Sequence, residues 1–281
     1  VILYGDLETY SEVPIKHGVY KYAEHSEIML FSYAIDDGPV RVWDRTDPAT
    51  PGEPDDLADA WRFIGVGGGE VVFQNSMFDR TVMNAQWSAW SAVMPLERWR
   101  DTMVQALAHG LPGGLEKLCD ILNVDHDKRK LKIGKELIRL FCMPRAKNSK
   151  IHRATRETHP EQWAQFVDYA RVDVEAMREI RKKLPRWNYE GRELALWHLD
   201  QRINDRGIPV DLDYCRAAIR TAERVQKRLA AEAKKTSGGM IESTRQRDAL
   251  LTHLSLDHGV DLPDMKGDTI ERRLTDPDLH W

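Results

Sequence analysis

The sequence predicts an α/β protein in which helices flank a mixed β-sheet, followed by a C-terminal helical segment. Short apolar, β-branched runs alternate with helical periodicity in the first half of the chain, which is typical of a sheet covered by helices. The second half carries helical patterns alone. Hydrophobic residues make up 42% of the 281 residues, enough to bury a large core.

Four segments carry the pattern of strands, and they are 1–9, 28–35, 39–44 and 70–74. The tight turn Asp36-Asp37-Gly38 joins the second to the third, which predicts a hairpin. The glycine cluster 65–69 lacks the Lys-Ser/Thr ending of a phosphate-binding loop, so we interpret it as a turn before the fourth strand.

Helical spacing covers six segments of the first 188 residues, namely 55–64, 76–86, 102–109, 115–122, 135–141 and 160–184. Pro160 in the first turn and Pro185 just beyond the end delimit the last of them. Two further helices are expected at 192–205 and 213–235. We therefore predict one domain at 1–188 and a helical segment at 189–281.

Composition limits the class of protein. The three cysteines are far apart and odd in number, which favours neither a disulfide framework nor a cysteine zinc site, so we expect a cytoplasmic, reducing setting. No secretory signal is visible, and no apolar run approaches the roughly 18 residues of a membrane span.

The charge distribution is uneven. The net charge is −4, yet in the stretch 128–156 Glu136 is the only acid among many lysines and arginines. Such a run is either a solvated helical face or a surface that contacts phosphates, and both interpretations stay open.

Three places offer carboxylates suited to a metal site. Asp6 and Glu8 lie two apart at the end of an apolar strand, so both point to one face. Asp79 falls in the first turn of a helix that Asn75 or Ser76 can cap, where an acid also suits the helix dipole. Taken alone, each acid has a purely structural explanation.

A fourth carboxylate lies on the long helix. Tyr169 and Asp173 are four residues apart and therefore share one face. Phe166, Ala170 and Met177 extend that face toward the core, so the pair should border buried residues. An ordinary tyrosine–aspartate contact would explain this pair equally well.

The ordered set of Asp-x-Glu, Asn-x-x-x-Asp and Tyr-x-x-x-Asp resembles the three exonuclease motifs of the DEDD superfamily, tyrosine subclass. Asp168 stands where the histidine subclass would carry its histidine. The segments 73–80 and 111–119 are similar to the proofreading exonuclease of phage-type family A DNA polymerases. The tract 203–211 is similar to the junction that leads into the polymerase part of those enzymes.

The resemblance implies a ribonuclease H-like fold and 3′→5′ exonuclease activity on single-stranded or frayed DNA 3′ ends. It implies two divalent ions, Mg²⁺ with Mn²⁺ as the alternative, a choice that suits carboxylate ligands. Localisation would be cytoplasmic, including the cytoplasm of a phage-infected host, and the remainder of a DNA polymerase would be a partner. The implied metal ligands are Asp6, Glu8, Asp79 and Asp173.

The resemblance also assigns roles around the metal ligands. Asp6 would bridge both ions and Tyr169 would orient the attacking water. The backbone at Thr9 and the side chain of Asn75 would contact the terminal nucleotide, while Phe78 would either stack on a base or pack in the core. We expect basic residues of the stretch 128–156 to bind the phosphates of the DNA single strand and so guide it to the site, among them Lys128, Arg129 and Lys130.

Two alternatives remain at this point: a 3′→5′ RNA exonuclease with the same motifs, and a non-catalytic DNA-holding module. No palm-type metal motif follows residue 211. We therefore expect no polymerase activity in this chain.

Overall fold

A computed structural model describes residues 1–50, 52–87, 94–124, 128–145, 148, 151–243 and 245–277, with only the backbone for 128–132. One five-stranded sheet has the order β3-β2-β1-β4-β5, in which β2 runs in the direction opposite to the other four strands. This mixed sheet confirms the predicted fold class. Its strands are β1 Ile2–Ser11, β2 Ser26–Ile35, β3 Arg41–Asp44, β4 Glu70–Phe73 and β5 Trp99–Asp101.

Helices make up most of the remaining structure. The predicted helices 76–86 and 115–122 are observed with those bounds, whereas the one predicted at 135–141 already begins at residue 128. The short elements β5 and α1 were not predicted. In the described part of the chain the α-helices are α1 Val19–Glu24, α2 Asp55–Phe63, α3 Ser76–Gln86, α4 Thr102–Ala108, α5 Leu115–Leu122, α6 Lys128–Phe141, α7 Pro160–Lys183, α8 Gly191–Arg206, α9 Leu212–Thr236, α10 Arg247–His258 and α11 Gly267–Leu274.

The alternation of side chains along β1 divides them between two cores on opposite faces of the sheet. Leu3 is fully buried in the core that includes side chains of α2 and α3. Tyr4 points the other way and packs in a cluster with Val174 of α7. Asp6 and Glu8 follow Tyr4 at two-residue steps, so their side chains point to the same face of the sheet as that of Tyr4. Both carboxylates therefore face α7.

The chain forms two compact units, Val1–Arg206 and Gly207–Trp281. Helix α8 belongs to the first unit, where the His198 ring lies 3.2 Å from the Trp99 carbonyl oxygen. The units thus divide later than the predicted domain boundary at residue 188, because α8 packs on the sheet domain. The second unit contains α9, which Asp211 caps by accepting a 2.9 Å bond from the Tyr214 N–H.

Within the described residues, the helices are all too short or too polar to cross a lipid bilayer.

Candidate active site

Strand β1 extends beyond its parallel neighbour β4. The two strands pair only as far as Tyr4 and Val72, and β1 then continues to Ser11. Asp6 and Glu8 therefore lie in the middle of their strand, not at its end as the sequence predicted. Beside Asp6 and Glu8, however, β4 has already ended and its chain turns into α3. No β4 residue pairs with this part of β1, so side chains from α3 can approach it.

The turn from β4 into α3 brings Asp79 to this opening. The buried Asp79 carboxylate accepts a hydrogen bond from the Leu7 backbone N–H, midway between Asp6 and Glu8. Helix α3 begins after Asn75, whose backbone is left-handed (φ 60°, ψ 47°). The third carboxylate thus touches β1 directly.

The start of α3 is held by a residue that sequence reasoning missed. Asp101 accepts hydrogen bonds from the backbone N–H groups of Asn75 at 3.0 Å and Ser76 at 2.7 Å, and from the Ser76 hydroxyl at 3.0 Å. Asn75 occupies the N-cap position, but among the described residues its side chain makes no capping bond and the Ser76 hydroxyl donates to Asp101, so the predicted side-chain cap from either residue is wrong. A carboxylate from β5 supplies the acceptor instead.

Asp101 also caps its own helix, α4. It accepts from the N–H groups of Met103 at 2.9 Å and Val104 at 3.3 Å, while its N–H donates to the Tyr189 hydroxyl at 2.8 Å. An aspartate before a helix is a recognisable cap signal. Its second role, anchoring α3, has no local signal because Asp101 and Ser76 are 25 residues apart in the chain.

We expect Asp101→Ala to lower the free energy of unfolding by about 3 kcal/mol, because several buried N–H groups lose their acceptor at once. Urea unfolding measures the loss. The control is Asp47→Ala in an exposed turn, where the carboxylate bonds to the Ala49 N–H and pairs with Arg156. Equal losses in the two variants would contradict the anchoring role.

Helix α7 supplies the opposite wall of the site. The four-residue spacing places Tyr169 and Asp173 on one face, and the tyrosine hydroxyl donates a hydrogen bond to the aspartate carboxylate. Phe166 and Ala170 are fully buried beside this pair, as their periodicity predicted. The face of α7 that meets β1 therefore carries the fourth carboxylate.

The four carboxylates form one electrostatic cluster. Burial and the charge of Asp173 raise the pKa of Asp6 to about 8. Burial, followed by the charge of Asp6, raises the pKa of Glu8 and of Asp79 well above the usual range. Burial raises the pKa of Asp173 to about 6, against the opposing hydrogen bond from Tyr169.

Among the described residues, the dominant influences on these four pKa values include no basic side chain. Such a cluster has a strong tendency to take up protons or bind cations. As the side chains stand, no three histidine, cysteine, aspartate or glutamate residues in the described structure form a group that could hold a metal ion. Binding of one ion by several of these carboxylates would therefore need their side chains to move closer together.

Two further groups border the cluster. Burial, then the charges of Asp173 and Glu8, raises the pKa of the Tyr169 hydroxyl, so it stays protonated at neutral pH. The Cys142 thiol lies 3.7 Å from a carboxylate oxygen of Glu8 and accepts a hydrogen bond from the Thr9 backbone N–H. Sequence reasoning assigned no role to this cysteine.

The predicted substrate contacts differ in how the structure presents them. Asn75 is exposed, whereas the hydroxyl of Thr9 lies 2.7 Å from that of Tyr22 and is buried. Phe78 packs against the main core, with its ring centroid 5.5 Å from that of Tyr22. The three basic residues predicted to contact the DNA strand form the start of helix α6, and their side chains lie outside the described structure. They are Lys128, Arg129 and Lys130.

The end of the basic stretch has structural partners. Arg153 pairs with Glu27 at 2.6 Å and lies 4.0 Å above the ring of Tyr10. Arg156 lies 3.0 Å from Asp47. These two arginines attach the segment before α7 to the sheet.

No protein-family profile matches the chain. Over 241 residues the chain is 36% identical to a DNA polymerase of Bacillus phage SP02, and the matched part covers 83% of this chain. The same part covers 35% of the polymerase. The chain therefore spans about a third of the length of this relative.

Proposed function

We propose that this chain, a distant homologue of a phage DNA polymerase over most of its length, acts as a 3′→5′ exonuclease of the DEDD superfamily, tyrosine subclass. It would hydrolyse the terminal phosphodiester of a DNA strand. The observation that carries the proposal is the cluster of four carboxylates on β1, α3 and α7, in which Glu8 and Asp79 are buried and Asp173 accepts a hydrogen bond from Tyr169.

The donor set fits hard divalent cations. It offers carboxylate oxygens, which Mg²⁺ and Mn²⁺ prefer, and no basic side chain is among the dominant influences on these carboxylates within the described residues. Two bound ions would supply positive charge to the phosphodiester and acidify a water molecule. The residues that would hold them are Asp6, Glu8, Asp79 and Asp173.

The protein's own groups would orient the reactants. With its raised pKa, Tyr169 acts as a hydrogen-bond donor and not as a base. Its hydroxyl, directed by Asp173, would orient the attacking water. Asn75, exposed and held by Asp101 through its backbone, would present its amide to the terminal nucleotide.

The DNA strand would approach the site across the first turn of α6. Lys130 precedes Gly134 by one helical turn, and Gly134 lies directly against Tyr169. The basic residues at the start of α6 therefore begin close to the cluster. Contacts between lysine or arginine and phosphate would be independent of sequence and sensitive to salt.

The test is degradation of a 5′-labelled DNA single strand with Mg²⁺, beside an RNA strand of the same sequence. We expect a ladder of DNA products shortened from the 3′ end, abolished by EDTA. Faster degradation of the RNA would establish an RNA exonuclease instead. Strand binding without degradation of either substrate would establish a non-catalytic module.

We expect Tyr169→Phe to lower kcat by roughly tenfold, because a misoriented water attacks the phosphodiester less productively while the metal ligands remain. Binding of Mn²⁺ and the KM for the strand should stay unchanged. The matched control is Tyr214→Phe on α9, an exposed tyrosine in the second unit. Loss of Mn²⁺ affinity in Tyr169→Phe would contradict the assignment of a water-orienting role.

A further inference from the structure

Gly134 occupies the interior of α6, where glycine is a poor helix former. Its backbone is helical, a conformation that any residue adopts, so no unusual φ explains the glycine. The residue is buried. A reason for the missing side chain must therefore lie in what α6 packs against.

Helix α6 packs against the ring of Tyr169. A Cβ atom added at Gly134 would lie 2.2 Å from Cε2, 2.6 Å from Cδ2 and 2.8 Å from Cζ of that ring. Real Cβ atoms do not come this close, so a side chain at position 134 would displace the ring. The contacted atoms include Cζ, which carries the hydroxyl.

The ring of Tyr169 is also bounded on its own helix. It is stacked with the ring of Phe166, with centroids 6.5 Å apart and planes at 4°. Phe166 is fully buried and stacks in turn on Phe141 of α6, at 5.1 Å and 25°. The Tyr169 ring is therefore in contact with the fully buried Phe166 on its own helix and with the backbone of α6 at Gly134.

We propose that Gly134 is a positioning residue, whose lack of a side chain sets the plane of the Tyr169 ring and so aims its hydroxyl at the carboxylate cluster. The inference rests on the proposed function for its catalytic consequence. The contact between Gly134 and the ring is independent of that function, and the two can be tested separately.

The contact is tested by a cycle of thermal unfolding with Gly134→Ala, Tyr169→Ala and the double variant. In the wild-type background, Gly134→Ala should lower the Tm because the new methyl group overlaps the ring. In the Tyr169→Ala background the same change should raise the Tm, because alanine favours helix and the ring is gone. A change of the same sign in both backgrounds would overturn the contact.

The catalytic consequence is tested by kcat and KM on the 5′-labelled DNA strand. Gly134→Ala should lower kcat about as much as Tyr169→Phe, by about tenfold, with KM unchanged. When Gly134→Ala is added to Tyr169→Phe, the kcat of the double variant should be less than twofold below that of Tyr169→Phe alone. The control is Gly114→Ala, where an added Cβ meets nothing within 4 Å, and its kcat should match that of the wild type.

Two outcomes overturn the positioning role: wild-type kcat in Gly134→Ala, or equal losses with and without the Tyr169 hydroxyl. If Gly134→Ala fails to fold while the double variant with Tyr169→Ala folds, the overlap with the ring is established. Absence of cleavage by the wild type would refute the proposed function, and the unfolding cycle would still report on the contact.

Discussion

Asp6→Asn is expected to lower kcat for Mg²⁺-dependent cleavage by roughly 10³-fold or more, about 4 kcal/mol of transition-state stabilisation. Asp6 is central to the cluster, since its charge contributes to the raised pKa values of Glu8, Asp79 and Tyr169. Asparagine has nearly the same shape and lacks the negative charge. Activity should therefore fall through weaker metal binding and not through loss of the fold.

The measurement is cleavage of the 5′-labelled strand together with Mn²⁺ binding and the Tm in EDTA. The Tm of Asp6→Asn should equal or exceed that of the wild type, because one source of repulsion is removed. The control is Asp59→Asn on α2, an exposed carboxylate 3.1 Å from Arg62. If Asp6→Asn cleaves as fast as the wild type, the metal-site hypothesis fails.

Without metal ions, the stability of the first unit is expected to fall as pH rises from about 4 to about 8. The pKa of Asp6 is about 8 in the folded protein, against an ordinary value of 3.8. Between these values the folded state binds more protons than the unfolded state. The free energy of unfolding therefore decreases with rising pH. The raised pKa of Asp173, about 6, acts in the same direction.

Mg²⁺ is expected to reverse this loss and to stabilise the protein more at pH 8 than at pH 5. At pH 5 protons occupy the cluster and compete with the ions, whereas at pH 8 the carboxylates are available to them. At a concentration 100-fold above its Kd, a ligand adds about 2.7 kcal/mol to the free energy of unfolding. Thermal unfolding in Mg²⁺ and in EDTA at both pH values gives the difference.

Asp6→Asn provides the internal control for this second prediction. It should flatten the pH dependence in EDTA and reduce the stabilisation by Mg²⁺ at pH 8. A wild-type Tm that rises with pH in EDTA would contradict the repulsion among the carboxylates. Equal stabilisation by Mg²⁺ at both pH values would contradict binding at this cluster.

The elements that the sequence predicted well are those with their own periodicity. Helix α3 repeats its apolar positions over several turns, and its bounds could be predicted from the sequence. Strand β5 escaped prediction because Trp99–Asp101 is three residues long with a charged residue in the middle. Its pairing with β4 is what makes it a strand.

For the candidate site, the sequence by itself determined which side chains share a face. A period of two on β1 pairs Asp6 with Glu8, and a four-residue step on α7 pairs Tyr169 with Asp173. These relations follow from local backbone geometry. They hold wherever the strand and the helix are placed.

Only the tertiary structure decided how those faces meet and what holds them. The anchoring of α3 by Asp101 and the approach of Gly134 to Tyr169 each join segments more than twenty residues apart. The pairing of Arg153 with Glu27 does so as well, and it gives this arginine of the basic stretch a partner on the sheet. Such contacts depend on the packing of helices on the sheet, which leaves no periodic trace in the sequence.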